Sequence, residues 1–443
     1  RNLVSRGIVV VTIQYRLGLI GFFTTYTETF PPNRGLYDQI LALKWVNHEI
    51  SSFGGDVNRI TLFGQSAGAV AVSDLSLSPL ARGLFHQIIQ MSGSAMQELE
   101  TMHDIRESIH QKRAEQICKI DSTNWGSAEK DEDLMACLLQ ATPQELAEGD
   151  KEKNPMWHVA IDGAVLPDYP EKLAQHRPKY PVLMGDVLEE FAMHMYEHIN
   201  RTHSNAGPGI TLAVLNHYWP GLDPMIAKKI SDAANLAFSN GKLPADDDHL
   251  GWVQLVIDVV SGQFFDSGML RDLQWHRLNG NALTWLYTFT HRSRLSNGLK
   301  HEVEGWIPIS HSAELDYLWF TPDVWESNNA SDADLAVADQ IGRIWTHFAT
   351  NGKLSFPRAG RERKFIEIGK KITQNSNWRK TADDFFNKAL PTQLGEFPPM
   401  KMPEESCKKL RELGAKVLSK WTQTTCTSST DKHRQHHRAA RLP

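Results

Sequence analysis

Arg59-Ile60-Thr61-Leu62-Phe63-Gly64-Gln65-Ser66-Ala67-Gly68 decides how this chain folds. A β-forming run enters G-x-S-x-G directly, and small residues follow at Ala69, Ala71 and Ser73. A strand that turns sharply into a helix holds its serine in strained backbone and lifts Oγ out of the sheet. Glycines two before and two after leave room where side chains clash. The helix that follows turns its positive end on the same point, favouring an oxyanion. The pentapeptide alone is a weak signal. Its setting, strand before and close-packed helix after, separates it from an inert Gly-rich turn.

Outward from this point the chain alternates. Ile8-Val9-Val10-Val11-Thr12-Ile13 is a continuous apolar, β-branched run. It predicts a strand buried on both faces. Gly18, Gly21, Pro31, Pro32, Asn33 and Gly35 mark a long loop, and Ile40 to Ile50 has a helix-compatible pattern. Phe53-Gly54-Gly55-Asp56 reads as a turn, and Phe85–Met91, Pro181–Gly185 and Leu283–Phe289 as further strands. The expected class is α/β, a mostly parallel open sheet covered by helices. From Cys407 onward, Leu410, Leu413, Val417, Leu418 and Trp421 share one helical face. That helix is expected to lie on its own domain, and the polar, basic stretch from Thr422 to Pro443 to be a disordered tail.

Composition narrows the function classes. The 443 residues are 41% hydrophobic and 22% charged, which is globular and excludes a low-complexity chain. A net charge of −5 does not suit a nucleic-acid partner. No apolar run reaches the ~18 residues of a membrane span. Cys118, Cys137, Cys407 and Cys426 fit no metal-ligand spacing. Asn200-Arg201-Thr202 and Asn329-Ala330-Ser331 are glycosylation sequons, compatible with a secretory compartment.

Taken together, Phe53-Gly54-Gly55-Asp56 and the Arg59–Gly68 stretch resemble the signature of the type-B carboxylesterase/cholinesterase family of α/β-hydrolases. Tyr15-Arg16-Leu17-Gly18, Gly35-Leu36-Tyr37-Asp38-Gln39, Arg82-Gly83-Leu84-Phe85, Met91-Ser92-Gly93 and Trp345-Thr346-His347-Phe348-Ala349 are similar to other segments of it. The likeness runs from about Val4 to about Leu390. It implies an α/β-hydrolase domain over residues 1–405, with an amphipathic helix and tail over 406–443. It also implies a serine hydrolase of small-molecule carboxylic esters, working without metal or organic cofactor through an acyl-enzyme. Secretion, or residence in the endoplasmic reticulum lumen, goes with that. Oligomeric state is left open, as is the pairing of Cys407 and Cys426.

A serine hydroxyl needs a histidine to take its proton and a carboxylate to orient that histidine. In this fold the order is Ser, then Asp/Glu, then His. Ser66 is the expected nucleophile. The acid belongs just past a strand, and Pro181–Gly185 leads into Asp186-Val187-Leu188-Glu189-Glu190. Setting the family's G-x-x-x-D/E-E-G on Gly185 makes Glu190 the acid. Glu189 is the alternative, because Phe191 stands where the family has its next glycine. Ile307-Pro308-Ile309-Ser310-His311-Ser312-Ala313-Glu314 resembles the family's H-G-x-E segment, with Ser312 for glycine, and implies His311 as base. Glu314 is expected to be structural or pocket-lining. Ala67 is implied as an oxyanion N–H donor, Gln65 and Ser92 as supports around the triad, Arg16 and Asp38 as an ion pair, and Cys118–Cys137 as a loop disulfide.

Departures matter too. Gln65 replaces a family Glu, which weakens a choline-ester reading. Ala69 replaces a glycine and is expected to narrow the acyl pocket. The chain begins at Arg1, and the family's His-Gly-Gly-Gly-type loop belongs upstream of Val4. The expectation is an N-terminal truncation that removes early strands and leaves the chain as given inactive. Two alternatives stand beside the enzyme: a cholinesterase-like adhesion protein, and a non-functional partial product.

Overall fold

The computed structural model describes residues 2–100, 105–121, 123–148, 157–193, 207–218, 223–295, 305–320, 322–394 and 412–419. The elements used below are α1 (Arg34–Glu49), β1 (Thr61–Gln65), α2 (Ala67–Leu77), β2 (Gln87–Met91), α3 (Ile105–Cys118), α4 (Ala128–Leu138), β3 (Val182–Val187), α5 (His249–Ser261), α6 (Ser267–Leu278), β4 (Thr284–Phe289), α7 (Ala313–Trp319), α8 (Asp332–Asn351), β5 (Phe365–Ile368) and β6 (Ile372–Asn375). The six strands form one sheet in the order β1-β2-β3-β4-β5-β6. The first five are parallel, and β6 closes the edge antiparallel.

Strand alternation divides the core. Ile88, Val182, Met184 and Leu286 face a cluster with Leu36 and Ile40 of α1 and Val72 and Leu75 of α2. Their neighbours Ile89, Leu183, Trp285 and Tyr287 face a second cluster with Ile341, Trp345 and Phe348 of α8. Both faces of β2, β3 and β4 are therefore covered, and every residue of the three strands is buried. Gln65, Met91 and Gly185 are successive ladder partners, so the ends of these strands carry their loops to one rim. Such a rim is where open α/β sheets place ligands.

One expected strand is missing. Residues 8–13 form no strand, and Val9 and Val11 are exposed. Ladder hydrogen bonds make a strand, and this run has none to β1. It is set off from β1 and α1 by an apolar cavity of about 310 Å³, lined by Val10, Ile13, Leu43, Leu62 and Trp345. The expected long loop is also interrupted, by a short helix at Gly18–Phe22.

The Cys118–Cys137 disulfide is formed, with Cα atoms 5.8 Å apart, and ties α3 to α4. It flanks a small apolar cluster of Phe23, Phe30, Ala114 and Leu134. Arg16 and Asp38 make the expected pair, with Nε–Oδ2 and Nη2–Oδ1 both 2.7 Å. Ser331 caps α8 in a capping box with Asp334, and Asn329 is exposed just before it. Residues 412–419 are helical, with Leu413 buried and Val417 against the main core. A Cβ on Gly414 would lie 2.4 Å from the Gly163 backbone, so this helix rests on the domain. Asn200, Cys407, Cys426 and the 422–443 tail lie outside the described residues. Among the described residues no helix is long and apolar enough to cross a membrane.

Candidate active site

Ser66 stands between β1 and α2 with φ 57° and ψ −126°. A β-carbon makes that conformation costly, so the surroundings must hold it. Ser66 N–H donates to Met91 O at 2.8 Å, and Ser66 O accepts from Ala69 N–H at 2.8 Å. Gly64 is required, because a Cβ there would sit 2.3 Å from Gly68 O. Gly68 corrects the sequence reading: a Cβ on it meets nothing within 4 Å. What crowds Gly64 is the Gly68 backbone, whereas the place of a Gly68 side chain is open. Gly93 is a second tight point, since its Cβ would lie 2.5 Å from Ser66 O. Ala69 is wholly buried, and that same Cβ would touch its methyl at 3.0 Å. Ala67 opens α2, where first-turn N–H groups have no partner within the helix.

Two adjacent carboxylates in the turn after β3 have different partners. Glu190 is buried; its Oε1 accepts Val187 N–H at 2.9 Å and its Oε2 lies 2.5 Å from His311 Nδ1. Glu189 points elsewhere. Its two oxygens take Arg292 Nη2 and Nη1, each at 2.7 Å, and Oε2 also accepts Ile309 N–H at 2.7 Å. Glu189 therefore ties the β3 turn to the segment that carries His311.

His311 precedes α7, with the Phe265 ring 4.9 Å from its own. Its Nε2 lies 3.1 Å from Gln65 Nε2, next in the chain to Ser66. Burial works against a charge on this ring, but the Glu190 charge and hydrogen bond, with Glu314 behind them, raise His311 above the usual histidine range. Ser312, in the place of a family glycine, has φ 70°, the left-handed conformation that favours glycine. Glu314 is buried beside Tyr287, whose hydroxyl is 3.4 Å from Oε1. Burial first, and then the Glu190 charge, push Glu314 up to about 8. Ser92 is buried at φ 58°, its N–H on Gly185 O at 2.8 Å. Its Oγ has no hydrogen-bond partner among the described residues.

The groups behind Glu190 carry no signal in the sequence. Arg379 Nε donates to Asp186 Oδ2 at 2.8 Å, and its Nη2 to Val187 O at 2.8 Å. Asp266 lies 3.5 Å from Arg379 Nε, and burial drives its carboxyl well above the usual range. Arg379 comes from almost two hundred residues downstream, and no local pattern marks it. Among the described residues no cluster of three or more His, Cys, Asp or Glu is arranged to hold a metal ion.

Comparison with known proteins finds relatives along most of the chain. The family described as the carboxylesterase family matches residues 1–394. Carboxylesterase 3 of Homo sapiens is 29% identical over 413 residues, covering 88% of this chain and 68% of its own length. Carboxylesterase 1C of Rattus norvegicus is 31% identical over 380 residues, covering 82% of this chain and 64% of its own. A protein of Anas platyrhynchos named fatty acyl-CoA hydrolase precursor, medium chain, is 27% identical over 383 residues, covering 82% and 63%.

Proposed function

The chain belongs to the carboxylesterase family, and on that premise we propose that it hydrolyses small-molecule carboxylic esters with Ser66 as nucleophile, His311 as general base and acid, and Glu190 orienting His311. One observation carries the reading: Glu190 Oε2 holds His311 Nδ1 at 2.5 Å. The opposite ring nitrogen lies 3.1 Å from the side chain next to Ser66.

The proposed steps run in order. With the ring proton on Nδ1, Nε2 has a lone pair and takes the Ser66 hydroxyl proton as Oγ attacks the ester carbonyl. The carbonyl electrons move to oxygen, and the Ala67 N–H at the start of α2 receives that negative charge. Collapse expels the alcohol, which takes the proton from Nε2, and leaves an acyl group on Ser66. Water then attacks that acyl group, giving its proton to the same nitrogen, and the acid departs as Oγ is reprotonated. Gln65 and Ser92 are the supports around this centre. No step needs a metal or organic cofactor.

Residues 1–405 are read as the hydrolase domain, with 406–443 appended. The Cys118–Cys137 bond favours an oxidising compartment, hence the secretory lumen or the exterior. Labelling of the protein with a fluorophosphonate probe tests the nucleophile. Ser66→Ala is expected to abolish labelling, and unchanged labelling sinks the assignment.

A further inference from the structure

The nitrogen of His311 that must take a proton from Ser66 is already occupied. An ionised carboxylate only accepts, so the 2.5 Å contact with Glu190 puts the ring proton on Nδ1. Nε2 of the neutral ring then has only its lone pair. Gln65 Nε2 stands 3.1 Å away, and an amide nitrogen only donates. The Gln65 amide therefore donates to the lone pair that the reaction needs.

We propose that Gln65 is a positioning residue that caps the His311 lone pair in the resting site, holding the imidazole neutral and turned toward the nucleophile, and that it yields this place to the Ser66 hydroxyl when ester enters. The inference rests on the Ser66–His311–Glu190 reading. Gln65 is the last residue of β1, held in register with Met91. Its backbone is fixed, and its half-buried side chain is the part free to turn. A hydrogen bond given to the neutral form lowers the basicity of the ring. The groups facing His311 act in two directions. Glu190, from the turn after β3, and Glu314, from the first turn of α7, favour the charged ring. Burial, against the Phe265 ring among others, and the Gln65 amide favour the neutral one. Asp186, Asp266 and Arg379 lie behind Glu190 and act through it. A carboxylate at position 65 reverses the sign of the contact, because it accepts a proton from Nε2 and calls for a doubly protonated ring.

The test is a pH titration of His311 by NMR in the full chain with ¹⁵N-labelled histidine, its signal identified by loss in His311→Gln. Gln65→Met keeps length and removes the donor; it is expected to raise the His311 midpoint by about 0.4–1 pH unit, the worth of one neutral hydrogen bond. Gln65→Glu is expected to raise it by more than about 1 unit. If Gln65→Met does not fold, Gln65→Glu alone decides. A midpoint unmoved or lowered in the folded variants overturns the proposal. Failure of the underlying reading looks different: the midpoints move as expected, yet Ser66→Ala labels like the parent.

Discussion

Replacing Glu190 by Gln tests the site at its narrowest point. The carboxylate is buried and uses both oxygens, one on Val187 N–H at 2.9 Å and one on His311 Nδ1 at 2.5 Å. Gln fills the same volume and its oxygen still accepts from Val187. Its NH₂ then faces Nδ1, which must supply a lone pair, so the ring proton moves to Nε2. That nitrogen now points a proton at Gln65 and Ser66 and no longer serves as a base. A wrong-tautomer change of this kind costs about 10⁴ in kcat/KM, about 5 kcal/mol of transition-state stabilisation. Folding should be little affected. The neighbouring substitution, Glu189→Gln, is the control. It weakens the grip on Arg292, a side chain 44% exposed, so solvent screening holds the loss to about 1 kcal/mol, with a rate within tenfold of the parent. Hydrolysis of a short p-nitrophenyl ester and a thermal melt read the two quantities. If Glu189→Gln loses the four orders of magnitude and Glu190→Gln stays within tenfold, the acid is misassigned.

Three further expectations follow from the same geometry. Gly64→Ala puts a methyl against the Gly68 backbone and should cost about 1–3 kcal/mol with loss of labelling, whereas Gly68→Ala, in open space on a helix, should gain about 0.5–1 kcal/mol; melting temperatures separate them. Glu314 is raised in the fold from 4.5 to about 8, so the unfolded chain ionises first and stability drains as pH rises across that window. Glu314→Gln should recover up to about 4 kcal/mol at pH 8 and almost nothing at pH 4; equal gains at both pH values in urea titrations would contradict this. Cys118→Ala opens a cross-link of sequence separation 19 and should cost about 3 kcal/mol in a melt while leaving Ser66 labelling in the folded fraction unchanged.

How far the fold can be read from the residues depends on how local each signal is. The strands β2 to β4 stood out because burial on both faces favours mostly apolar, β-forming residues, and β1 stood out by the serine motif at its end. The turn at Ser66 stood out because only glycine fits at Gly64. The run at residues 8–13 carried the same composition and makes no ladder. Composition records a tendency to be buried, and the hydrogen bonds that make a strand need a partner in register. At the site, chain order and motif pointed to Ser66, Glu190 and His311. The motif alignment favoured Glu190 and kept Glu189 as the alternative, because the two are identical in type and adjacent. The difference lies in Arg292 and Ile309, more than a hundred residues away, and in the direction each side chain takes from the turn.

That turn also explains how so many carboxyl groups crowd one histidine. Asp186, Asp266, Glu189, Glu190 and Glu314 all gather near the end of β3, and like charges in a dry site repel strongly. Each is handled by its partner. Arg292 spans Glu189. Arg379 binds Asp186 and at the same time holds Val187 O, so the cation that offsets the charge also fixes the turn. Asp266, beyond hydrogen-bond reach of Arg379, and Glu314, with no Lys or Arg paired to it among the described residues, are the two pushed up most, which favours their neutral forms. Glu190 is the member whose free oxygen faces an imidazole. Removing Arg379 should therefore harm the site twice, by loosening the turn that aims Glu190 and by leaving Asp186 without its counter-charge. Arg379→Lys keeps the charge but loses the fork that reaches both Asp186 and Val187 O. If Arg379→Lys holds the melting temperature yet loses ester hydrolysis, aim is what matters; if it keeps both, charge alone suffices and the turn is held by Val187 and Glu190 themselves.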